Sequence, residues 1–128
     1  MPRRGVFASR EEGQASVELA LLLPIIVLVV LMVLEIGLTG RDIVRVTHAS
    51  REAARAAATD AAPDAARRAA IASSGLDPDR LEVTVMGRAG PGSRVKVTIA
   101  YDLPTSIPLV GALLGHRRLR STATMRVE

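Results

Sequence analysis

Few side chains in this chain are suited to covalent or proton-transfer chemistry, and their spacing gathers none of them into a site. The two histidines, His48 and His116, are far apart, and neither has a second ligand at metal-binding spacing. There is no cysteine, so disulfides, thiolate metal sites and thiol nucleophiles are excluded. Ala89-Gly90-Pro91-Gly92 lacks the helix and lysine that would make it a phosphate loop. Ser74-Gly75 reads as a helix end and not as a nucleophile elbow. Catalytic, cofactor-binding and metal-ligating residues are therefore expected to be none, and an enzyme is not expected. Two carboxylates remain in an unusual setting: Glu18 and Glu35 stand at the two ends of an apolar run.

That run, Leu19 to Leu34, is 16 residues without a polar side chain, and counting on to Leu38 gives 20 positions. As a helix, 20 residues extend about 30 Å, the thickness of a bilayer's hydrocarbon core. Pro24 removes one backbone donor near its start and is expected to kink or loosen the first turns. A cleaved secretory signal would need a small-residue cleavage site after the run, and Glu35-Ile36-Gly37-Leu38 offers none. A buried core helix would need a larger and more aromatic remainder to cover it, yet Phe7 and Tyr101 are the only aromatics. A retained membrane helix is the reading that fits. Charge does not set the orientation: Arg3, Arg4 and Arg10 precede the run, and Arg41, Arg45, Arg51 and Arg55 come after it. Glu35, at the far end, is expected to reach the interface with Arg41 and Arg45 nearby.

The elements beyond the run can be read from period. From about Arg41 to Thr59, Ile43, Val46, Ala49 or Ser50, Ala53 and Ala57 form one helical stripe. Arg45, His48, Glu52 and Arg55 lie opposite, where His48–Glu52 and Glu52–Arg55 can pair across a turn. Pro63 suits a break and a new first turn, and Gly75 suits the end of a second helix at Ser73 or Ser74. The period then changes to two: Leu81, Val83 and Val85, then Val95, Val97, Ile99 and Tyr101 around a turn at 89–93. Leu119, Ser121, Ala123, Met125 and Val127 give a third strand. The expected fold is α+β: a long N-terminal transmembrane and stalk helix, a short helix, and a small three-stranded antiparallel sheet covered by alanine-rich helices. Between Tyr101 and His116, Leu109-Val110-Gly111-Ala112-Leu113-Leu114 is expected to be a loop tucked over the core. The alternative is a contact with lipid or a neighbouring subunit.

The segment before the run is the most informative. Gly13-Gln14-Ala15-Ser16-Val17-Glu18-Leu19 sets a small residue, then a carboxylate five positions on, at the mouth of an apolar helix. A glycine leaves an accessible, extended backbone for a protease, and a charge at the mouth of a hydrophobic span is costly. The bland reading of Glu18 is an interfacial carboxylate favoured by the helix N-terminus. The pattern resembles the type IV prepilin leader, which a prepilin peptidase cuts after the glycine on the cytoplasmic face. Gly-Gln-Ala-Ser-Val-Glu-Leu-Ala followed by Leu-Leu-Leu-Pro24 is similar to the opening of the TadE-like family of pseudopilins from tight-adherence (Tad) pilus systems. Residues 49–58, Ala-Ser-Arg-Glu-Ala-Ala-Arg-Ala-Ala-Ala, resemble that family's second signature, and 121–128 its close. Leu19 stands where many members carry an aromatic, and Gln14 would be a first residue unlike the aromatic one of classical pilins.

The resemblance implies a minor pseudopilin with a leader at 1–13 cut between Gly13 and Gln14, and a transmembrane helix at 14–38. The periods divide the rest of the chain into a stalk and second helix at 39–75 and a small β domain at 76–128. The resemblance implies a single-pass protein of the cytoplasmic membrane, with a cytoplasmic N-terminus and an extracytoplasmic domain. Its partners would be membrane lipid, other pilins and pseudopilins, the prepilin peptidase and the pilus membrane platform. Glu18 would set the assembly register, and Glu35 would be a secondary membrane carboxylate. A rival reading is an uncleaved bitopic accessory protein of a secretion or adhesion apparatus, binding partners through the same domain. The net charge of +4, nearly all arginine, also suits capture of DNA. Nucleic acid is disfavoured because stacking on single strands needs aromatics, and Tyr101 is the only one beyond the run.

Overall fold

The computed structural model describes residues 8–104 and 106–128, with side chains from residue 13 onward except 105 and 108–110. One helix, α1 (Ala8–Thr59), carries the whole structure. Its 52 residues correspond to about 78 Å. It runs unbroken through Pro24, whose missing N–H leaves the Ala20 carbonyl without its helical donor. From Val17 to Ile36 nearly all of its large apolar side chains stand exposed, with Leu21 at 71% and Val33 at 63%. Within this stretch Glu35 is buried and Leu31 partly covered; the rest stands uncovered among the described residues.

The upper half of α1 is a different surface. Val46, Ala49, Ser50, Ala53, Ala54, Ala57 and Ala58 are buried, at spacings of three and four. The expected stripe is therefore present, except that Ile43 faces outward. Small side chains let the backbone of α1 approach both α2 (Ala65–Ser74) and the sheet. The turn at 60–64 is closed by the Ala62 amide donating to Asp60 Oδ1 at 2.9 Å. Pro63 lies in this turn, so α2 starts two residues later than proline at a first turn would place it. Gly75 ends α2 in the left-handed conformation (φ 63°), its amide donating to the Ile71 carbonyl.

Arg67 fastens α2 to the segment leading into the sheet, donating at 2.8 Å to the carbonyls of Pro78 and Leu81. Leu81 begins β1 (Leu81–Met86), which pairs antiparallel with β2 (Arg94–Asp102). A short helix, α3 (Pro108–Leu114), precedes β3 (Arg118–Arg126), which pairs with the other edge of β2. The order β1-β2-β3 puts β2 in the centre, and its inward Val95, Val97, Ile99 and Tyr101 are the most buried part of the sheet. Opposite them in register stand Val83 and Val85 on one side, and Leu119, Ser121, Ala123 and Met125 on the other. The outward face is polar, with Thr98 and Thr122 hydrogen-bonded across the strands at 3.1 Å.

The expected α+β arrangement of long helix, short helix and three-stranded antiparallel sheet is the observed one. Two local expectations fail. Segment 108–114 is helical and not a loop, and Leu113 and Leu114 are 71% and 42% exposed instead of tucked over the core. The core face of β2 is already filled by α1 and by alanine side chains of α2, and the side chains of 109 and 110, part of the same run, lie outside the described residues. Among the described residues, neither His48–Glu52 nor Glu52–Arg55 closes to an ion pair: those side chains face water, where such pairs gain little.

Candidate functional site

The residues expected to matter lie along α1. Residues 1–7, the greater part of the expected leader, fall outside the described residues. Gly13 and Gln14 are exposed, and both are inside the helix, so the extended backbone expected at Gly13 is not observed. The reason is local. Good helix formers surround Gly13, and one internal glycine costs only about 1 kcal/mol against a helix already nucleated by the apolar run. Open space surrounds the position that a Cβ would take at this glycine.

Glu18 is exposed on α1, four residues and about 6 Å of axial rise beyond Gln14. Glu35 lies 17 positions further along, about 26 Å away and rotated by about 100° around the helix. The two carboxylates therefore bracket the bare apolar segment but face different surroundings. Glu18 stands far below the folded domain, whereas Glu35 is turned under it.

Glu35 is 3% exposed. Its Oε1 accepts from an Arg117 guanidinium nitrogen at 3.0 Å, and that arginine side chain is 33% exposed. Its Oε2 is buried without a hydrogen-bond partner among the described residues. The expectation that Glu35 would sit at the interface beside Arg41 and Arg45 is therefore corrected: Arg41 lies 3.9 Å from Asp42, and Arg117 supplies the counter-charge. The cause is the phase of the helix. Glu35 precedes Val46 by 11 positions and Ala53 by 18, close to whole numbers of turns, so it shares the buried stripe. Arg41 and Arg45 do not share its meridian.

Arg117 is the residue that sequence reasoning missed. Its signal was the strand period: inward positions 119, 121, 123 and 125 extend back by two to 117. A basic residue on the inner face calls for a carboxylate on the facing helix, and Glu35 is the acidic residue at that end of the stripe. A second polar contact lies higher up, where Ser50 Oγ donates to the Thr47 carbonyl and sits 2.9 Å from Ser121 Oγ. With the Ser50 proton committed to Thr47, Ser121 is the donor. These two contacts fix β3 along α1 at two heights.

Among the described residues, no three His, Cys, Asp or Glu side chains cluster as metal ligands. The clefts are shallow surface features, such as the one lined by Ala57, Asp60, Pro63, Ala66, Val85 and Arg88. The distinctive geometry is thus a bare apolar helix, an exposed carboxylate at one end and a paired, buried one at the other. Its 47-residue stretch Gly13–Thr59 holds a window of mean hydropathy 3.1, only 6% buried, the length and composition of a single-pass membrane anchor. No curated protein and no solved structure matches the chain. A family model described as TadE-like protein matches residues 13–55. Both carboxylates and much of the alanine stripe lie within the match, so the chain carries a TadE-like segment in its first half.

Proposed function

We propose that the chain is a minor pseudopilin of a Tad-type pilus. It is a structural and assembly component rather than an enzyme, cut by a prepilin peptidase between Gly13 and Gln14. The observation that carries this reading is the coincidence of the TadE-like match, which begins at Gly13, with an uncovered apolar helix. A lone bitopic protein has lipid to cover such a helix; a pilus subunit exchanges that lipid for the helices of its neighbours. In this reading residues 14–38 span the cytoplasmic membrane, and the domain above them stands outside the cell's cytoplasm. The partners are other pilins and pseudopilins and the membrane platform that assembles them.

Glu18 has a defined task in this scheme. Cleavage creates an amine at Gln14, about 6 Å from Glu18 along the axis. A neighbouring subunit displaced by that rise sets its amine against the Glu18 carboxylate. A charge at the centre of a membrane helix costs about 2.5–3.5 kcal/mol on insertion scales, and somewhat less near an end. Pairing offsets part of that cost at one axial register only, so Glu18 specifies assembly more than it stabilises the isolated chain. Its exposure, far from its own domain, is what such a contact requires.

The test is the intact mass of the protein extracted from membranes of cells with an active prepilin peptidase. The expected mass is that of a chain starting at Gln14. A full-length mass would instead support the uncleaved accessory protein. Glu18→Ala is expected to be processed and inserted normally but lost from complexes with partner pseudopilins, scored by co-purification. Normal co-purification would reduce Glu18 to an interfacial carboxylate.

A further inference from the structure

The β2–β3 connection, residues 103–117, emerges from one end of the sheet, and the contacts of β3 show which end that is. Ser121 lies beside Ser50, and Arg117, at the start of the strand, reaches Glu35. At the other end, Met125 and Arg126 line a cleft with Arg55, Ala58 and Thr59. So β3 runs in the same direction as α1, and its beginning faces the bare apolar segment. Four strand residues from Ser121 back to Arg117 cover about 13 Å. On α1 that distance below Ser50 corresponds to about nine residues, so the sheet ends level with about residue 41. The Arg117 side chain bridges the remaining gap to Glu35, immediately above Leu34.

The α3 segment is placed in the same gap. It ends at Leu114, three residues before Arg117, and the Leu103 amide donating to the Arg117 carbonyl at 3.0 Å closes the base of the connection that carries it. Leu113 and Leu114 are exposed, although nothing in the fold requires apolar side chains there. Around this end stand Arg80, Arg117 and Arg118, each partly exposed. At the opposite end of the sheet the tip at 87–93 is polar and glycine-rich.

We propose that α3 is a second membrane contact: a foot whose Leu113 and Leu114 enter the interface of the lipid leaflet from which α1 emerges. The occupant is lipid because the foot is continuous in height with the end of the bare apolar run, which itself lies in lipid. The arginines beside it are paired within the chain, with Asp77, Glu35, Glu82 and Asp102, so it is their stems that can lie along that boundary. The contact holds the domain at one height and tilt on the membrane. Without it, the tilt of α1 alone would set the angle at which the domain stands. The inference rests on the reading of α1 as a membrane span, but not on leader cleavage or on a role in a pilus.

The absence of native cysteine makes a clean test available. Full-length protein carrying the single substitution Leu114→Cys is labelled with an environment-sensitive fluorophore and reconstituted into phosphatidylcholine–phosphatidylglycerol vesicles. Matched proteins carry Val29→Cys in the apolar run or Ala89→Cys at the far tip. The label at 114 is expected to be quenched by lipids with a spin label near the headgroup, and several-fold less by aqueous iodide than the label at 89. The effect should be unchanged when vesicles hold one chain each. A label at 114 as open to iodide as that at 89 overturns the foot. Protection at 114 that disappears on dilution overturns it too, because a second copy is then the cover. If the label at 29 escapes quenching by lipids spin-labelled deep in the acyl chain, the membrane span itself has failed, and the foot with it.

Discussion

Removing Arg117 should damage the domain more than removing its partner Glu35, and more than removing both. The asymmetry comes from exposure. Glu35 is almost fully buried, whereas a third of the Arg117 side chain reaches solvent. Two unit charges about 4 Å apart attract by about 4 kcal/mol at an effective dielectric near 20, before desolvation is subtracted. In Arg117→Ala the carboxylate stays buried with neither oxygen satisfied, and stranding one member of a buried pair costs about 3–5 kcal/mol. In Glu35→Ala the arginine turns into water, and a buried oxygen without a partner among the described residues is removed at the same time, so the loss should be about 1 kcal/mol, the order of an exposed pair. The double variant should resemble Glu35→Ala. Tyr101 is buried in the sheet and is the only tyrosine, so its fluorescence during urea unfolding in detergent micelles follows the domain. Equal single effects that add in the double variant would refute this account, since a double variant no worse than Glu35→Ala implies a coupling energy as large as the Arg117→Ala loss, about 3–5 kcal/mol.

Gly87→Ala should destabilise the sheet by about 2 kcal/mol or more in the same assay, because φ there is +83° and a Cβ would lie 2.7 Å from the Arg94 carbonyl oxygen. A change within experimental error would show that the hairpin relaxes at no cost. Ala53→Leu should cost about 1–3 kcal/mol, since Ala53 is completely buried where α1 meets its neighbours; retained stability would mean that the helix can move off the sheet.

The elements were legible because each carries one period over enough residues. The alternation in 81–86, 94–102 and 118–126 gives the three strands nearly to the residue, and the alanine stripe gives the buried face of α1. Gly87 was missed because its demand comes from a partner strand: the nearby carbonyl belongs to Arg94. The α3 helix was missed because seven residues between prolines and glycines carry less than two helical turns of pattern. At the candidate site, Gly13, Gln14 and Glu18 stand out in the sequence as a motif, and the family match starts at the first of them. The environment of Glu35 was not. Nearby arginines in sequence drew attention, while the actual partner lies 82 residues away. Carrying the helical stripe back from Val46, and the strand period back from Leu119, would have brought the two together.

The two membrane-end carboxylates differ in what the chain provides for them, and that difference bears on how a small domain holds its position. An alanine-rich core buries little area per side chain, so hydrophobic burial alone stabilises this sheet weakly. A large share of the core comes from α1 itself, from Val46 to Ala58. The domain is thus not a separate body tethered by a helix; it is folded onto the helix that enters the membrane. Glu35 extends that attachment down to the residue bordering the apolar run, so a pull on the domain is borne by α1 near the bilayer and not by a flexible linker. Glu18, by contrast, stands exposed, with no ion-pair partner among the described residues. A carboxylate paired from within suits fixed geometry in one chain, whereas the assembly role proposed for Glu18 asks for an exposed one. Exchanging the two settings would undo the proposed arrangement: an unpaired Glu35 would loosen the domain on its stalk, and a Glu18 paired within its own chain would be unable to take the proposed contact with a neighbour.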